Sequence, residues 1–141
     1  RTVPTYFVRD IMSSPALTIH YEADLDEAAA TLESQKIRRL PVLDDDGQLV
    51  GILTRGDVRV GWVGTAVDPY DPRSATWLTV GDAMTRDVYT VAPDAPVVEV
   101  VEMLLAHKIG GLPVVDGDGA VIGMVTETDI FRLLVREWKE T

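Results

Sequence analysis

The chain is written twice. Shifting the sequence by 72 positions lays Val80–Ile130 on Val8–Val58 without a gap, and 18 of the 51 residue pairs are identical. The matches include Asp10 with Asp82, Met12 with Met84, Thr18 with Thr90, and Lys36-Ile37 with Lys108-Ile109. Leu40-Pro41-Val42 falls on Leu112-Pro113-Val114, and Gly51, Thr54 and Asp57 fall on Gly123, Thr126 and Asp129. Register kept over this length means one structural unit used two times.

Both copies carry the same local signals. A short extended piece comes first, Ala16–Ile19 and Val88–Val91. A helix follows. In the first copy Asp24 is placed to cap it, with Glu27 three residues on as in a capping box. Leu25, Ala28, Ala29 and Leu32 then recur at i, i+3, i+4 and i+7, the stripe of a helix with one buried face. In the second copy Pro96 suits the first turn, and Val97, Val100, Val101 and Leu104 form the stripe. Two strands joined by an acidic turn come next: Leu40–Leu43, Asp44–Gly47 and Leu49–Leu53, then Leu112–Val115, Asp116–Gly119 and Val121–Val125. A last helix begins near Thr54 and near Thr126, the latter extended through Phe131, Leu134, Val135 and Trp138 on one face. The expected fold is a mixed α/β (α+β) arrangement of two β-α-β-β-α repeats. Arg59–Leu78 has no counterpart and holds Gly61, Gly64, Pro69 and Pro72, so it reads as a connector. Trp62 and Trp77 in that stretch are expected to pack on the body or on a second subunit.

Bulk properties narrow the function. The 141 residues carry a formal net charge of −10, which repels nucleic-acid phosphates and excludes a broad nucleic-acid footprint. There is no cysteine, which removes thiolate nucleophiles, disulfides and cysteine-bound zinc and is compatible with a cytoplasmic setting. No apolar run approaches the roughly 20 residues of a membrane span. Arg1-Thr2-Val3-Pro4 lacks the apolar region of a signal peptide. No membrane or nucleic-acid partner is therefore expected. No catalytic constellation is visible: His20 and His107 are isolated, the acidic turns lack calcium-loop spacing, and no Gly-Lys-Ser/Thr follows the glycines. The chain is not expected to be an enzyme, and no cofactor or metal is required.

The Asp-x-Met opening, the Leu-Pro-Val strand, the Asp-x-Asp-Gly turn and Gly-x-x-Thr-x-x-Asp, each present in both halves, resemble the cystathionine β-synthase (CBS) domain. The whole chain resembles a CBS pair, or Bateman module. The resemblance implies a first repeat over residues 8–60, a connector over 61–79 and a second repeat over 80–136, packed with pseudo-twofold symmetry. It implies a regulatory ligand-sensing module that binds AMP, ADP, ATP, S-adenosylmethionine or NAD in clefts between the repeats, pairs into a homodimer and acts on an unidentified regulated protein. The alternative is a ligand-free homodimerisation module.

The resemblance also implies site residues. Asp57 and Asp129 would accept both vicinal hydroxyls of a ribose, with Thr54 and Thr126 beside the ribose or phosphate. Thr-x-x-Asp at a strand-to-helix junction is equally a helix-capping arrangement, and one role does not exclude the other. Thr18-Ile19 and Thr90-Val91 match the family segment whose backbone reads adenine, and they read equally as ordinary strand residues. Arg38-Arg39 stands before Leu40-Pro41 where the second copy has Gly110-Gly111 before Leu112-Pro113. Arginine suits phosphate because its planar fork donates two parallel hydrogen bonds. By family analogy Thr18, Ile19, Arg38 or Arg39, Leu40 and Pro41 share a cleft with Thr126 and Asp129. Thr90, Val91, Gly111, Leu112 and Pro113 share the other with Thr54 and Asp57. The arginine-bearing cleft is expected to prefer a phosphorylated adenosine.

Overall fold

The computed structural model describes residues 4–64 and 78–140. The chain runs α1 (Val8–Ile11), β1 (Ile19–His20), α2 (Leu25–Ser34), β2 (Arg39–Leu43), β3 (Leu49–Thr54), α3 (Arg55–Gly64), α4 (Val80–Ala83), α5 (Val97–His107), β4 (Gly111–Val115), β5 (Val121–Thr126) and α6 (Glu127–Lys139). The expected β-α-β-β-α order appears in the first repeat; in the second the expected opening strand Val88–Val91 is reduced to a single bridge at Val91, leaving α-β-β-α. A one-turn helix, α1 or α4, also precedes each. Asp10 and Asp82 close these short helices: their carboxylates accept the N–H of Phe7 at 2.8 Å and of Thr79 at 3.0 Å. This is a structural role for the Asp-x-Met aspartates.

Two compact units form, and each repeat lends its opening segment to the other repeat's body. One unit combines residues 17–64 with 78–88, the other residues 4–16 with 89–140. In the first unit β1 lies parallel to β2, and β2 pairs antiparallel with β3. Leu25, Ala28 and Leu32 of α2 bury against Leu40, Val42, Leu53, Val58 and Val80. In the second unit β4 and β5 form the hairpin, and Val91 makes a parallel bridge to Val114 in the place of β1. Val8 enters the core with Val97, Val100, Leu104, Leu112, Val114, Val125, Ile130 and Leu133. Both helical stripes thus bury the positions that the 3.6-residue period selects, apart from the flanking Ala29 and Val101, which are half-buried.

Three expectations are corrected. Asp24 stands at the N-cap of α2, but its side chain makes no capping hydrogen bond. The Leu25 N–H instead goes to the Leu78 carbonyl at 3.0 Å, as the Val97 N–H of α5 goes to the Tyr6 carbonyl at 2.8 Å. The segment ahead of each short helix serves the orphan donor, so no side-chain cap is needed there. Pro96 is the N-cap of α5 rather than a first-turn residue. The connector does not begin at residue 59, because α3 continues to Gly64. A Cβ on Gly61 would lie 2.9 Å from Leu25 Cδ2, so the glycine permits a close approach of α3 to α2 rather than ending the helix. Trp77 and the side chain of Trp62 lie outside the described residues.

The acidic turns are satisfied by their own backbone. Asp44 Oδ1 accepts the N–H of Asp46 and of Gln48, both at 2.9 Å, and Asp116 Oδ1 does the same with Asp118 and Ala120. Gly47 and Gly119 take φ +77° and +86°, the left-handed geometry that closes each hairpin. Tyr6 donates its hydroxyl to the Glu137 carboxylate, tying the start of the chain to α6. That bond is the main reason the Tyr6 phenol is held above its ordinary pKa.

Candidate functional site

Thr54 and Asp57 sit at the junction of β3 and α3, Thr126 and Asp129 at the junction of β5 and α6. In the first junction Asp57 Oδ2 accepts the Thr54 N–H at 3.0 Å, and Thr54 Oγ1 accepts the Asp57 N–H at 3.0 Å. In the second, Asp129 Oδ2 accepts the Thr126 N–H at 2.9 Å and the Thr126 hydroxyl at 3.2 Å. Both aspartates therefore cap helices, and each lies in the first turn where the helix dipole favours a negative charge. Asp57 is half-buried, while Asp129 is only 7% exposed. A carboxylate in that position is tolerated because donors surround it. Thr79 and Asp82 repeat the same box at α4, with the Thr79 N–H and hydroxyl both 3.0 Å from Asp82 Oδ2. Capping alone therefore does not set the two candidate aspartates apart.

A second contact does. Each candidate carboxylate also faces a hydroxyl from the exchanged opening segment. Ser13 Oγ lies 3.4 Å from Asp129 Oδ1, and Thr85 Oγ1 lies 3.3 Å from both oxygens of Asp57. The motif glycines serve the same crossing. Ser13 and Met124 exchange backbone hydrogen bonds at 2.8 and 2.9 Å, and Thr85 and Ile52 exchange theirs at 2.8 and 2.9 Å. A Cβ on Gly123 would lie 2.8 Å from the Ser13 carbonyl oxygen, and one on Gly51 would lie 2.9 Å from that of Thr85. Gly-x-x-Thr-x-x-Asp and Asp-x-Met are thus two sides of one packing contact. Gly123→Ala is expected to cost about 1–3 kcal/mol through overpacking against backbone. Urea unfolding reads this directly; an unchanged midpoint would mean that the crossing yields at no cost.

The remaining expected residues divide by exposure. Thr18 and Thr90 are exposed, Ile19 is half-buried in β1, and Val91 is buried. The Val91 N–H donates to the Pro113 carbonyl at 3.1 Å and its carbonyl accepts from Val115 at 2.9 Å, so both groups are engaged within the hairpin sheet. Leu40, Pro41, Leu112 and Pro113 are fully buried, with Leu40 and Leu112 in the two cores. Gly111 is buried and Arg38 exposed. Arg39 is half-buried and is the register partner of Thr54, as Gly111 is of Thr126. Register partners project from the same sheet face, so Arg39 is a neighbour of Thr54. Thr18, Ile19, Arg38 and Arg39 belong to one compact unit, Thr126 and Asp129 to the other.

Sequence reasoning passed over Ser13, Thr85 and Arg55. Ser13 and Thr85 lie 72 positions apart and share a hydroxyl without being identical, so a count of identities misses them. Arg55 donates through Nε to the Ile37 carbonyl at 2.9 Å and through a terminal nitrogen to that of Leu32 at 3.2 Å, closing the end of α2. Glu127 occupies the same place in the second repeat, so only its N–H contributes, to the Gly110 carbonyl at 3.0 Å.

The duplicated crossing, the hairpins and the paired Thr-x-x-Asp junctions define a two-repeat CBS architecture. The family model of the CBS domain matches residues 8–61 and 80–136, and the chain belongs to the CBS domain family. A CBS domain-containing protein of Dictyostelium discoideum is 36% identical, with the match covering 92% of this chain and 91% of that protein. The L-aspartate semialdehyde sulfurtransferase of Methanocaldococcus jannaschii is also 36% identical, but the chain spans only 23% of its length. Among solved structures, a CBS domain pair in complex with 5′-methylthioadenosine and S-adenosyl-L-methionine is 35% identical with a TM-score of 0.81, covering 95% of this chain and 99% of that one. CBSX2 in complex with AMP is 27% identical with a TM-score of 0.77, covering 93% of this chain and 97% of that one. Among the described residues no helix is long and apolar enough to cross a membrane.

Proposed function

We propose that this CBS pair is a regulatory module that senses an adenosine-type ligand, with AMP, ADP, ATP, S-adenosylmethionine and NAD as the class. One observation carries the reading. In each repeat the Thr-x-x-Asp carboxylate gives Oδ2 to its helix cap, while among the described residues Oδ1 has one long hydroxyl contact, Ser13 at 3.4 Å on Asp129 and Thr85 at 3.3 Å on Asp57, the latter shared with Oδ2. A carboxylate oxygen accepts two hydrogen bonds, so each Oδ1 takes one ribose hydroxyl beside the present contact and the second vicinal hydroxyl in its place. The similar CBS pairs crystallised with methylthioadenosine, S-adenosylmethionine and AMP support the ligand class. In this reading the chain performs no chemistry. The regulated activity resides in a partner or fused protein, as a sulfurtransferase four times the length of the match would accommodate. Ligand binding biases one arrangement of the module over another, by no more than its differential affinity for the two.

The repeats are equipped unequally, with Arg38-Arg39 in one and Gly110-Gly111 in the other. Arg38→Ala/Arg39→Ala is expected to weaken AMP binding by at least about tenfold, the worth of one lost charge-assisted hydrogen bond. S-adenosylmethionine, which has no phosphate, should bind the variant nearly as before. Isothermal titration with both ligands checks this, and equal losses would remove the arginines from phosphate recognition.

Homodimerisation belongs to the same proposal. Val98 and Leu105 on α5, with Phe131, Leu134, Val135 and Trp138 on α6, are large apolar side chains left exposed, Leu105 by 73% and Trp138 by 71%. The equivalents of Val98 and Leu105 in the first repeat are Asp26 and Glu33, so the fold itself does not demand apolar residues there. Such a surface fits a second copy. Phe131→Glu/Val135→Glu is expected to convert a dimer to a monomer in sedimentation velocity; a monomeric parent chain would remove this part of the reading.

A further inference from the structure

We propose that Ser13 and Thr85 are further residues of the adenosyl sites: their hydroxyls hold the open oxygens of Asp129 and Asp57 and give way when a ribose arrives. This rests on the ribose reading above. Three observations carry it. First, the contact is made twice, at positions one repeat apart in sequence but not identical in residue, Ser in one case and Thr in the other. What is shared is the hydroxyl. Second, these are the longest hydrogen bonds on each carboxylate, 3.3–3.4 Å against 2.9–3.0 Å for the cap N–H bonds. Long hydroxyl–carboxylate contacts are the weak members of such a set. A ribose hydroxyl would replace one hydroxyl by another, while Oδ2 stays with the helix cap. Third, the segment does not depend on the side chain. Ser13 is anchored by its backbone pair with Met124, and Thr85 by its pair with Ile52. The hydroxyl is therefore available for exchange without loss of the fold. At Thr79–Asp82, where no ligand is proposed, the hydrogen bonds on the carboxylate come, among the described residues, from Thr79 alone.

The consequence is competitive. A residue that merely shaped the site would lower affinity when truncated; a placeholder raises it. With Ser13→Ala and Thr85→Val in the full chain, titrated with AMP and separately with S-adenosylmethionine, affinity is expected to rise about two- to tenfold, the equivalent of one net hydrogen bond. Both residues are exposed, so the variants are expected to fold, and urea midpoints verify it. The two positions are read independently. Unchanged or reduced affinity in both variants, with the parent chain binding, overturns this proposal alone. Absence of binding by the parent chain overturns it together with the ribose reading.

Discussion

Leu112→Ala is expected to lower the unfolding free energy by about 3 kcal/mol, the middle of the range for a fully buried leucine, with or without adenosyl ligand. Leu112 is completely buried among Val8, Val100, Leu104, Val114 and Val125. Truncation removes its transfer free energy and leaves a cavity that strand β4, paired along its length with β5, is poorly able to collapse. The melting temperature should fall by on the order of 10 °C. The ligand-induced increment in melting temperature is expected to survive, because the side chain is fully buried in the core. A small stability loss accompanied by loss of the ligand increment would return Leu112 to the binding surface.

The second large effect is on binding. Asp129→Asn is expected to weaken AMP and S-adenosylmethionine alike, by about tenfold or more, because the ribose diol is common to both and a hydrogen bond to a charged acceptor is worth about 1.5–3 kcal/mol. The substitution also disturbs the α6 cap, at a cost of about 1 kcal/mol. Asp82→Asn supplies the control, since Asp82 makes the same Thr-x-x-Asp cap at α4 and, among the described residues, its carboxylate is hydrogen-bonded by Thr79 alone. It should cost a comparable amount of stability and leave affinity unchanged. Equal affinity losses in the two variants would show that the effect of Asp129 is transmitted through helix capping rather than through the ligand.

Much of the fold is legible because it rests on local periods. The 3.6-residue stripe of Leu25, Ala28 and Leu32 and the matching Val97, Val100 and Leu104 are the buried residues of α2 and α5. The Asp/Gly turns announce the hairpins through Gly47 and Gly119. What escapes local patterns is shorter or longer in range. Helices α1 and α4 span four residues each, too few to display a period. The glycines of α3 look like a connector until Leu25 is seen packed against Gly61. The exchange of opening segments between repeats joins Ser13 to Asp129 across 116 positions of sequence. No propensity encodes that pairing; only the missing Cβ of Gly123 hints that a second backbone passes there. For the same reason the aspartates could be chosen from sequence, but not the hydroxyls that share them.

The central claim is that the two Thr-x-x-Asp carboxylates receive an adenosine. Isothermal titration of the parent chain and of Asp57→Asn/Asp129→Asn with AMP, ADP, ATP, S-adenosylmethionine and NAD tests it most directly. The parent is expected to bind at least one of these saturably and the double variant to bind it at least about tenfold more weakly, with the variant still folded by circular dichroism. Silence of the folded parent chain across the five ligands, or unaltered binding by the double variant, would contradict it.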